Sequence, residues 1–137
     1  MDALTVQEYM EFQPVAISSQ AVLTDVIQLL SKKRVSGAPV VDETGAVIGF
    51  VSEQDCLRSL LMSGYHCDNA ETVDNVMSKE VLMVAPEDSV VELARKMTDS
   101  KPKLYPVVEN NKLVGCIDRR QVLLAIAESQ IEGCKVW

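Results

Sequence analysis

The chain carries one series of residues twice, in the same order. Three landmarks of the first half recur in the second, with Met10 matched by Met77, Pro39 by Pro106 and Gly49 by Gly115. The first two pairs are 67 residues apart and the third is 66, so one residue is lost between them. Turns tolerate such a change in length, and the turn at 42–45 is matched by a shorter one at 109–111. A series repeated in order predicts two similar folding units.

Each copy is predicted to contain its elements in the order β-α-β-β-α. In the first copy, apolar periodicity and turn signals predict a helical turn at 5–10, an extended segment at 15–17, a helix at 21–33, strands at 38–41 and 47–51, and a helix at 53–63. In the second copy, they predict extended residues at 81–84, a helix at 89–99, strands at 104–108 and 113–117, and a helix at 119–130. Leu57, Leu60 and Leu61 are expected on the inward face of their helix.

Two small sheets of this kind are expected to share one core. A three-stranded sheet with helices on one face leaves the other face uncovered, and such a sheet is marginal alone. We therefore expect an α+β fold in which two β-α-β-β-α repeats pack sheet to sheet with pseudo-two-fold symmetry. The predicted boundaries are 1–66 for the first repeat and 67–137 for the second, and the polar stretch 65–71 is the natural linker.

Composition argues against several kinds of partner. The net charge of -7 argues against nucleic acid, because binding to a phosphate backbone needs a basic face. No apolar run approaches the roughly 20 residues of a membrane span. No signal peptide is visible at the N-terminus. We therefore expect a cytoplasmic protein without a membrane partner.

The sequence supports neither a metal site nor an active site. The four cysteines show no C-x-x-C spacing, and His66-Cys67 could supply only half of a metal site, so no metal is expected. The chain has one histidine, no G-x-S-x-G motif and no P-loop. We therefore expect no catalytic residues and no required cofactor.

The stretch Gly49–Asp55 is the strongest candidate for a binding site. It reads as the end of a buried strand that runs directly into a helix, with Ser52 as N-cap and Asp55 in the first turn. A helix N-terminus suits an anion, so the hydroxyl can hold a phosphate oxygen while the carboxylate accepts hydrogen bonds from a ribose diol. The alternative is that Ser-x-x-Asp is only a capping box, in which the two side chains satisfy backbone N–H groups.

These motifs, in this order twice, resemble a tandem pair of CBS domains, which is often called a Bateman module. The resemblance covers about residues 5–130. In the first copy it depends on the runs 35–42 and 49–55, and in the second on 84–89, 105–108 and 113–117.

The resemblance implies a sensor that binds adenosine nucleotides and regulates another protein without catalysis. The implied ligand is AMP, ADP or ATP, or else S-adenosylmethionine or a dinucleotide such as NAD. Ser52 and Asp55 match the hydroxyl and carboxylate that meet phosphate and ribose in the family. The adenine-lining positions of the family correspond to Val15, Ala16, Ile17, Gly37, Ala38 and Pro39. Gly37 and Ala38 are small, which would let a flat ring approach the backbone.

The second copy departs from the family pattern. Asp118 replaces the hydroxyl and Gln121 replaces the carboxylate, and Lys103-Leu104-Tyr105 replaces Ser36-Gly37-Ala38. A carboxylate in place of a hydroxyl would repel phosphate, so we expect one competent site, in the first copy. Arg119 and Arg120 have two interpretations, as solvated residues of the first helical turn or as contacts to phosphates held by the first copy.

Two functions of different classes therefore stay open. The first is a nucleotide-binding regulatory module that forms a homodimer through its helices and acts on an unidentified partner. The second is a structural or dimerisation module with empty clefts, in which Ser52 and Asp55 are only caps. Stabilisation by an adenosine ligand distinguishes the two.

Overall fold

The computed structural model describes residues 4–63, 71–99 and 102–134 of the chain. His66, Cys67, Trp137 and the predicted linker, apart from Glu71, lie outside the described residues. Helices and strands alternate in two repeats, which confirms the predicted α+β class.

The elements occupy nearly the predicted positions. The first repeat contains a 3-10 turn Val6–Glu8, strand β1 Ile17–Ser18, helix α1 Leu23–Lys33, strands β2 Gly37–Val41 and β3 Val47–Ser52, and helix α2 Glu53–Ser63. The second repeat contains a 3-10 turn Val73–Asn75, helix α3 Val90–Met97, strands β4 Leu104–Glu109 and β5 Lys112–Asp118, and helix α4 Arg119–Cys134. The extended residues predicted at 81–84 form no strand, and only Val84 pairs, in parallel with Val107.

The described residues form two compact units whose membership differs from the sequence repeats. The first-repeat unit contains Val15–Val81 and Asn111–Leu113. The second-repeat unit contains Met1–Pro14, Leu82–Asn110 and Val114–Trp137. The leading segment of each repeat, 5–11 or 72–78, therefore belongs to the unit built by the other repeat. The predicted boundary between residues 66 and 67 separates the two repeats of the sequence, whereas the compact units divide the chain after residues 14 and 81.

Backbone hydrogen bonds fix each leading segment in its unit. Glu11 and Cys116 exchange N–H···O=C bonds of 2.8 and 3.1 Å, which adds a bridge to the edge of β5. Ser78 and Phe50 exchange two bonds of 2.9 Å at the equivalent edge of β3. Each leading segment thereby covers part of a strand edge whose polar groups would otherwise need water.

A methionine from each leading segment packs onto a strand glycine. A Cβ atom built on Gly49 would lie 2.3 Å from Met77 Sδ, and one built on Gly115 would lie 2.7 Å from Met10 Sδ. Both distances are far shorter than a van der Waals contact, so an alanine at either glycine would force the methionine side chain to move. The recurrence of Met10, Met77, Gly49 and Gly115 in the sequence therefore reflects the same contact made once in each unit.

The core of the first-repeat unit lies between its sheet and its helices. β2 pairs in parallel with β1 and antiparallel with β3, so successive side chains alternate between the two faces. Ala38, Val40 and Val51 are completely buried on one face, and they belong to one cluster with residues of α1 and with Cys56 of α2.

The prediction that Leu57, Leu60 and Leu61 of α2 face inward is correct for Leu60 and wrong for the other two. Leu57 and Leu61 are 58% and 76% exposed, whereas Leu60 packs against the core with Cys56. Cys56 and Leu60 form one i, i+4 ridge, and Leu57 and Leu61 form the next ridge about 100° around the helix. The sequence pattern is compatible with either ridge facing inward, and the small buried cysteine marks the correct one.

Candidate functional site

Ser52 and Asp55 lie together where β3 ends and α2 begins. The Ser52 N–H donates to Asp55 Oδ2 at 3.0 Å, and the Asp55 N–H donates to Ser52 Oγ at 3.1 Å. The predicted capping pair is therefore present, with both side chains only partly buried. A cap does not exclude a ligand, because the Ser52 hydroxyl can still donate its proton and each carboxylate oxygen has two acceptor positions.

Asp55 also carries an ion pair that the sequence analysis did not single out. Its Oδ1 lies 3.2 Å from Arg58 Nη1, with the Asp55 side chain 19% exposed and the Arg58 side chain 58% exposed. The i, i+3 spacing on a helix was the signal that could have predicted this pair. Exposed pairs of this kind are weak, so the guanidinium can yield to a ligand hydroxyl.

Gly37 faces Ser52 across the strand pair. The register of β2 and β3 pairs Gly37 with Ser52 and Pro39 with Phe50, so these four residues share the sheet face opposite to the buried core. The Ser36 carbonyl also accepts the Glu53 N–H at 2.8 Å, which ties the start of β2 to the first turn of α2. The structure therefore places Gly37 opposite Ser52, and Ser52 is hydrogen-bonded to Asp55.

The Phe50 ring occupies the space that Gly37 leaves. A Cβ atom built on Gly37 would lie 2.7 Å from Phe50 Cε1 and 2.9 Å from the Val51 carbonyl oxygen. Phe50 is partly exposed, so its ring forms part of the surface beside Ser52. The sequence analysis treated Phe50 only as a strand residue. The diagonal position of Phe50 relative to Gly37 in an antiparallel pair is the signal that could have identified it.

The remaining predicted lining residues differ in accessibility. Ile17 pairs with Val40, so the chain before it runs alongside the start of β2. The side chains of Ile17 and Ala38 belong to the hydrophobic core, and Pro39 is also buried. Ala16 is exposed and Val15 is half-buried. Ile17, Ala38 and Pro39 can therefore contribute only backbone to a binding surface.

The equivalent junction in the second-repeat unit has a different chemistry. Asp118 and Gln121 form the predicted capping pair, with backbone-to-side-chain bonds of 2.9 and 2.8 Å. Arg119 and Arg120 are exposed, and no ion pair to either is found in the described part of the chain. The first turn of α2 contains Glu53 and Asp55, whereas the first turn of α4 contains no acidic residue.

Tyr105 fills the position that corresponds to Ala38. It is 2% exposed, and its hydroxyl has no hydrogen-bond partner among the described residues. Burial raises the pKa of this phenol. Burial, with smaller contributions from Asp118 and Glu11, also raises the pKa of the Cys116 thiol to about 12. The core of the second-repeat unit thus contains a phenol ring at the position where the core of the first-repeat unit contains the methyl group of Ala38.

Neither a metal centre nor a membrane span is found in the described ranges. Among these residues, no three His, Cys, Asp or Glu side chains are grouped as metal ligands would be. Of the described helices, none combines the length and the apolar character needed to cross a bilayer.

Known proteins are similar to this chain in sequence and in fold. The CBS domain family matches residues 6–62 and again residues 73–128. The AcuB protein of Vibrio cholerae is 27% identical, with a TM-score of 0.83 over 95% of this chain and 94% of that one. CBSX2 of Arabidopsis thaliana, solved in complex with AMP, is 26% identical, with a TM-score of 0.77 over 92% of this chain and 98% of that one.

The curated relatives are longer proteins. MJ1225 of Methanocaldococcus jannaschii is 30% identical over 112 residues, which are 82% of this chain and 39% of that protein. The chain spans less than half the length of the first curated relatives that it matches.

Proposed function

Because this chain belongs to the CBS domain family, we propose that it is a regulatory module that binds an adenosine nucleotide and acts on a partner protein without catalysis. The observation that carries the proposal is the Ser52–Asp55 pair, which lies across the strand pair from Gly37 and keeps a partly exposed carboxylate. The AMP complex of CBSX2, a relative at 26% identity, supports an adenosine ligand.

The proposed ligand contacts follow from the chemistry of this junction. Asp55 accepts hydrogen bonds from the two ribose hydroxyls, with Oδ1 released from its weak pair with Arg58. Ser52 donates its hydroxyl proton to a phosphate oxygen, which also gains from the partial positive charge of the α2 N-terminus. The base lies beside Val15, Ala16 and the backbone of 37–39, and it reaches Gly37 only where the Phe50 ring moves or stacks against it.

The second-repeat unit is proposed to leave phosphate unbound at its own cap. Asp118 would repel phosphate, and Gln121 lacks the second acceptor oxygen that a ribose diol needs. Arg119 and Arg120 remain our proposed contacts to the phosphates of a nucleotide bound at Ser52 and Asp55. Both arginines are exposed and have no ion-pair partner in the described residues. The preferred ligand is AMP, ADP or ATP, with S-adenosylmethionine and NAD as the other candidates.

A homodimer formed through helices is the second part of the proposal. Apolar side chains are exposed on α2 and on α4, namely Leu57, Leu61, Met62, Leu123, Leu124 and Ile131. Apolar surface of this kind is typical of an interface between copies. The same surfaces support the alternative of a purely structural dimerisation module.

We propose the cytoplasm as the location of the protein, since the buried Cys56 and Cys116 are free thiols.

Melting temperatures with and without ligand test the proposal. AMP, ADP, ATP, S-adenosylmethionine and NAD are each added to wild type, Asp55→Ala and the matched control Gln121→Ala. Both variants lose one side-chain cap, but only the first loses the proposed ribose acceptor. A ligand at a hundred times its Kd stabilises the folded state by about 2.7 kcal/mol.

We expect at least one nucleotide to raise the melting temperature of wild type and of Gln121→Ala, and to raise that of Asp55→Ala much less. A shift that is as large in Asp55→Ala rejects the assigned site. If none of the five compounds shifts wild type, the empty-cleft alternative is favoured.

A further inference from the structure

The carboxylate of the proposed ribose site is paired with a cation through the oxygen that does not accept the Ser52 N–H. Asp55 Oδ2 accepts the Ser52 N–H inside the cap, whereas Oδ1 faces Arg58 Nη1 at 3.2 Å. The Arg58 side chain is more than half exposed, at 58%, so its positive charge is accessible from solvent beside a carboxylate that is 19% exposed.

Two carboxylates at the start of α2 oppose the attraction that the helix N-terminus has for an anion. The first turn of α2 contains two acidic residues, Glu53 and Asp55, and Arg58 is the one basic residue of the helix. A phosphorylated ligand brings negative charge toward both carboxylates, whereas an unphosphorylated nucleoside brings none. The cost of that approach depends on how far Arg58 offsets the two acids.

At the two positions that match Asp55 and Arg58, the second-repeat unit has neither a carboxylate nor a cation, although Asp118 caps its helix and Arg119 and Arg120 open it. Gln121 stands at the position that matches Asp55, and Leu124, which is 50% exposed, stands at the position that matches Arg58. The first turn of α4 has no acidic residue to offset. The first-repeat unit therefore has the carboxylate of Asp55 together with the cation of Arg58, and the second-repeat unit has neither group at the matching positions.

We propose that Arg58 makes the site selective for phosphorylated over unphosphorylated nucleosides by offsetting the charge of Asp55 and Glu53. This role deepens the proposed function and depends on it. The competing explanation is that Arg58 only stabilises α2 through an i, i+3 ion pair, which would affect both ligand classes alike.

Titration calorimetry with AMP and with adenosine tests the proposal on the full chain. In Arg58→Ala we expect the Kd for AMP to rise about two- to fivefold, as for loss of an exposed charge pair, while the Kd for adenosine changes less than twofold. Arg58→Lys keeps the charge and should keep the selectivity. Added salt should lower the wild-type preference for AMP and have less effect in Arg58→Ala.

Arg95→Ala is the matched control. Arg95 pairs with Glu92 at the same i, i+3 spacing, at 2.6 Å, on the exposed surface of α3 in the second-repeat unit. This variant removes one positive charge and one helical ion pair that are not part of the first-repeat unit, so the ratio of the two Kd values should stay at the wild-type value.

Equal weakening of AMP and adenosine in Arg58→Ala overturns the proposal in favour of a structural role. A ratio that changes as much in Arg95→Ala overturns it in favour of a general effect of net charge. Failure of the proposed function looks different, because then wild type binds neither ligand or Asp55→Ala binds both as wild type does.

Discussion

The methionine–glycine contacts predict that an alanine at Gly49 and an alanine at Gly115 respond differently when the methionine is removed. In Gly49→Ala the new methyl group would lie 2.3, 2.8 and 3.0 Å from Sδ, Cγ and Cε of Met77, and these are its three nearest atoms. In Gly115→Ala the nearest atoms are Met10 Sδ at 2.7 Å and the Glu11 carbonyl oxygen at 2.8 Å. The first clash is with a flexible side chain alone, whereas the second also involves backbone.

Removal of the methionine should therefore rescue one alanine and not the other. Overpacking of this kind costs about 1–3 kcal/mol, so both single glycine variants should be destabilised by that amount. In a Met77→Ala background, Gly49→Ala should become neutral or stabilising by up to about 1 kcal/mol, because alanine restricts the unfolded chain. In a Met10→Ala background, Gly115→Ala should still destabilise, because two hydrogen bonds to Cys116 fix the Glu11 backbone.

Urea denaturation of the four variants of each cycle gives the free energies and the coupling between each pair. We expect a coupling of about 2–3 kcal/mol for Gly49 with Met77 and a smaller one for Gly115 with Met10. If Gly49→Ala is as harmful without Met77 as with it, Met77 does not pack on Gly49. The assignment of residues 72–78 to the first-repeat unit would then depend on backbone hydrogen bonds such as those between Phe50 and Ser78.

Three further predictions concern buried groups and the exposed helices. Tyr105→Phe should stabilise the protein by about 1 kcal/mol in urea denaturation, because it removes a buried hydroxyl without a partner among the described residues, and a destabilisation of similar size would contradict this. The free energy of unfolding should fall as the pH rises above about 8.5, because Cys116 ionises in the unfolded chain while its folded pKa is about 12. The fall should be less steep in Cys116→Ala, and equal slopes would refute the assignment. Leu57→Glu combined with Leu123→Glu should lower the molecular mass seen in light scattering from dimer to monomer, and an unchanged mass would exclude these side chains from the interface.

The elements were predictable because the signals for them are local. The turn residues 42–45 and 109–111, the cap Ser52–Asp55 and its counterpart Asp118–Gln121 each act within a few residues. Some bounds agree, as at α2, and the others differ by up to four residues, as at α4, which continues from the predicted 130 to Cys134. Helix ends are where local signals are weakest.

The exchange of leading segments was not predictable from the same signals. The repeat shows that Met10 and Met77 are equivalent, but it does not say which glycine each one covers. That choice depends on pairing between residues far apart in the chain, such as Glu11 with Cys116. The exposure of Leu57 and Leu61 was missed for a related reason, since two neighbouring ridges of one helix were both apolar.

The candidate site was predicted in part. Ser52, Asp55 and Gly37 lie together because strand register and a cap, both readable in sequence, determine their positions. The position of Phe50 over Gly37 depends on the direction of one side chain, and Asp55 with Arg58 depends on a rotamer of an exposed residue. Neither is encoded in apolar periodicity.

A crystal structure of the chain with AMP tests the central claim most directly. We predict that both ribose hydroxyls lie within about 3 Å of the Asp55 carboxylate, as hydrogen bonds require, with the phosphate at Ser52. Ribose held at Gln121 instead, or AMP bound without any contact to Asp55, would contradict it.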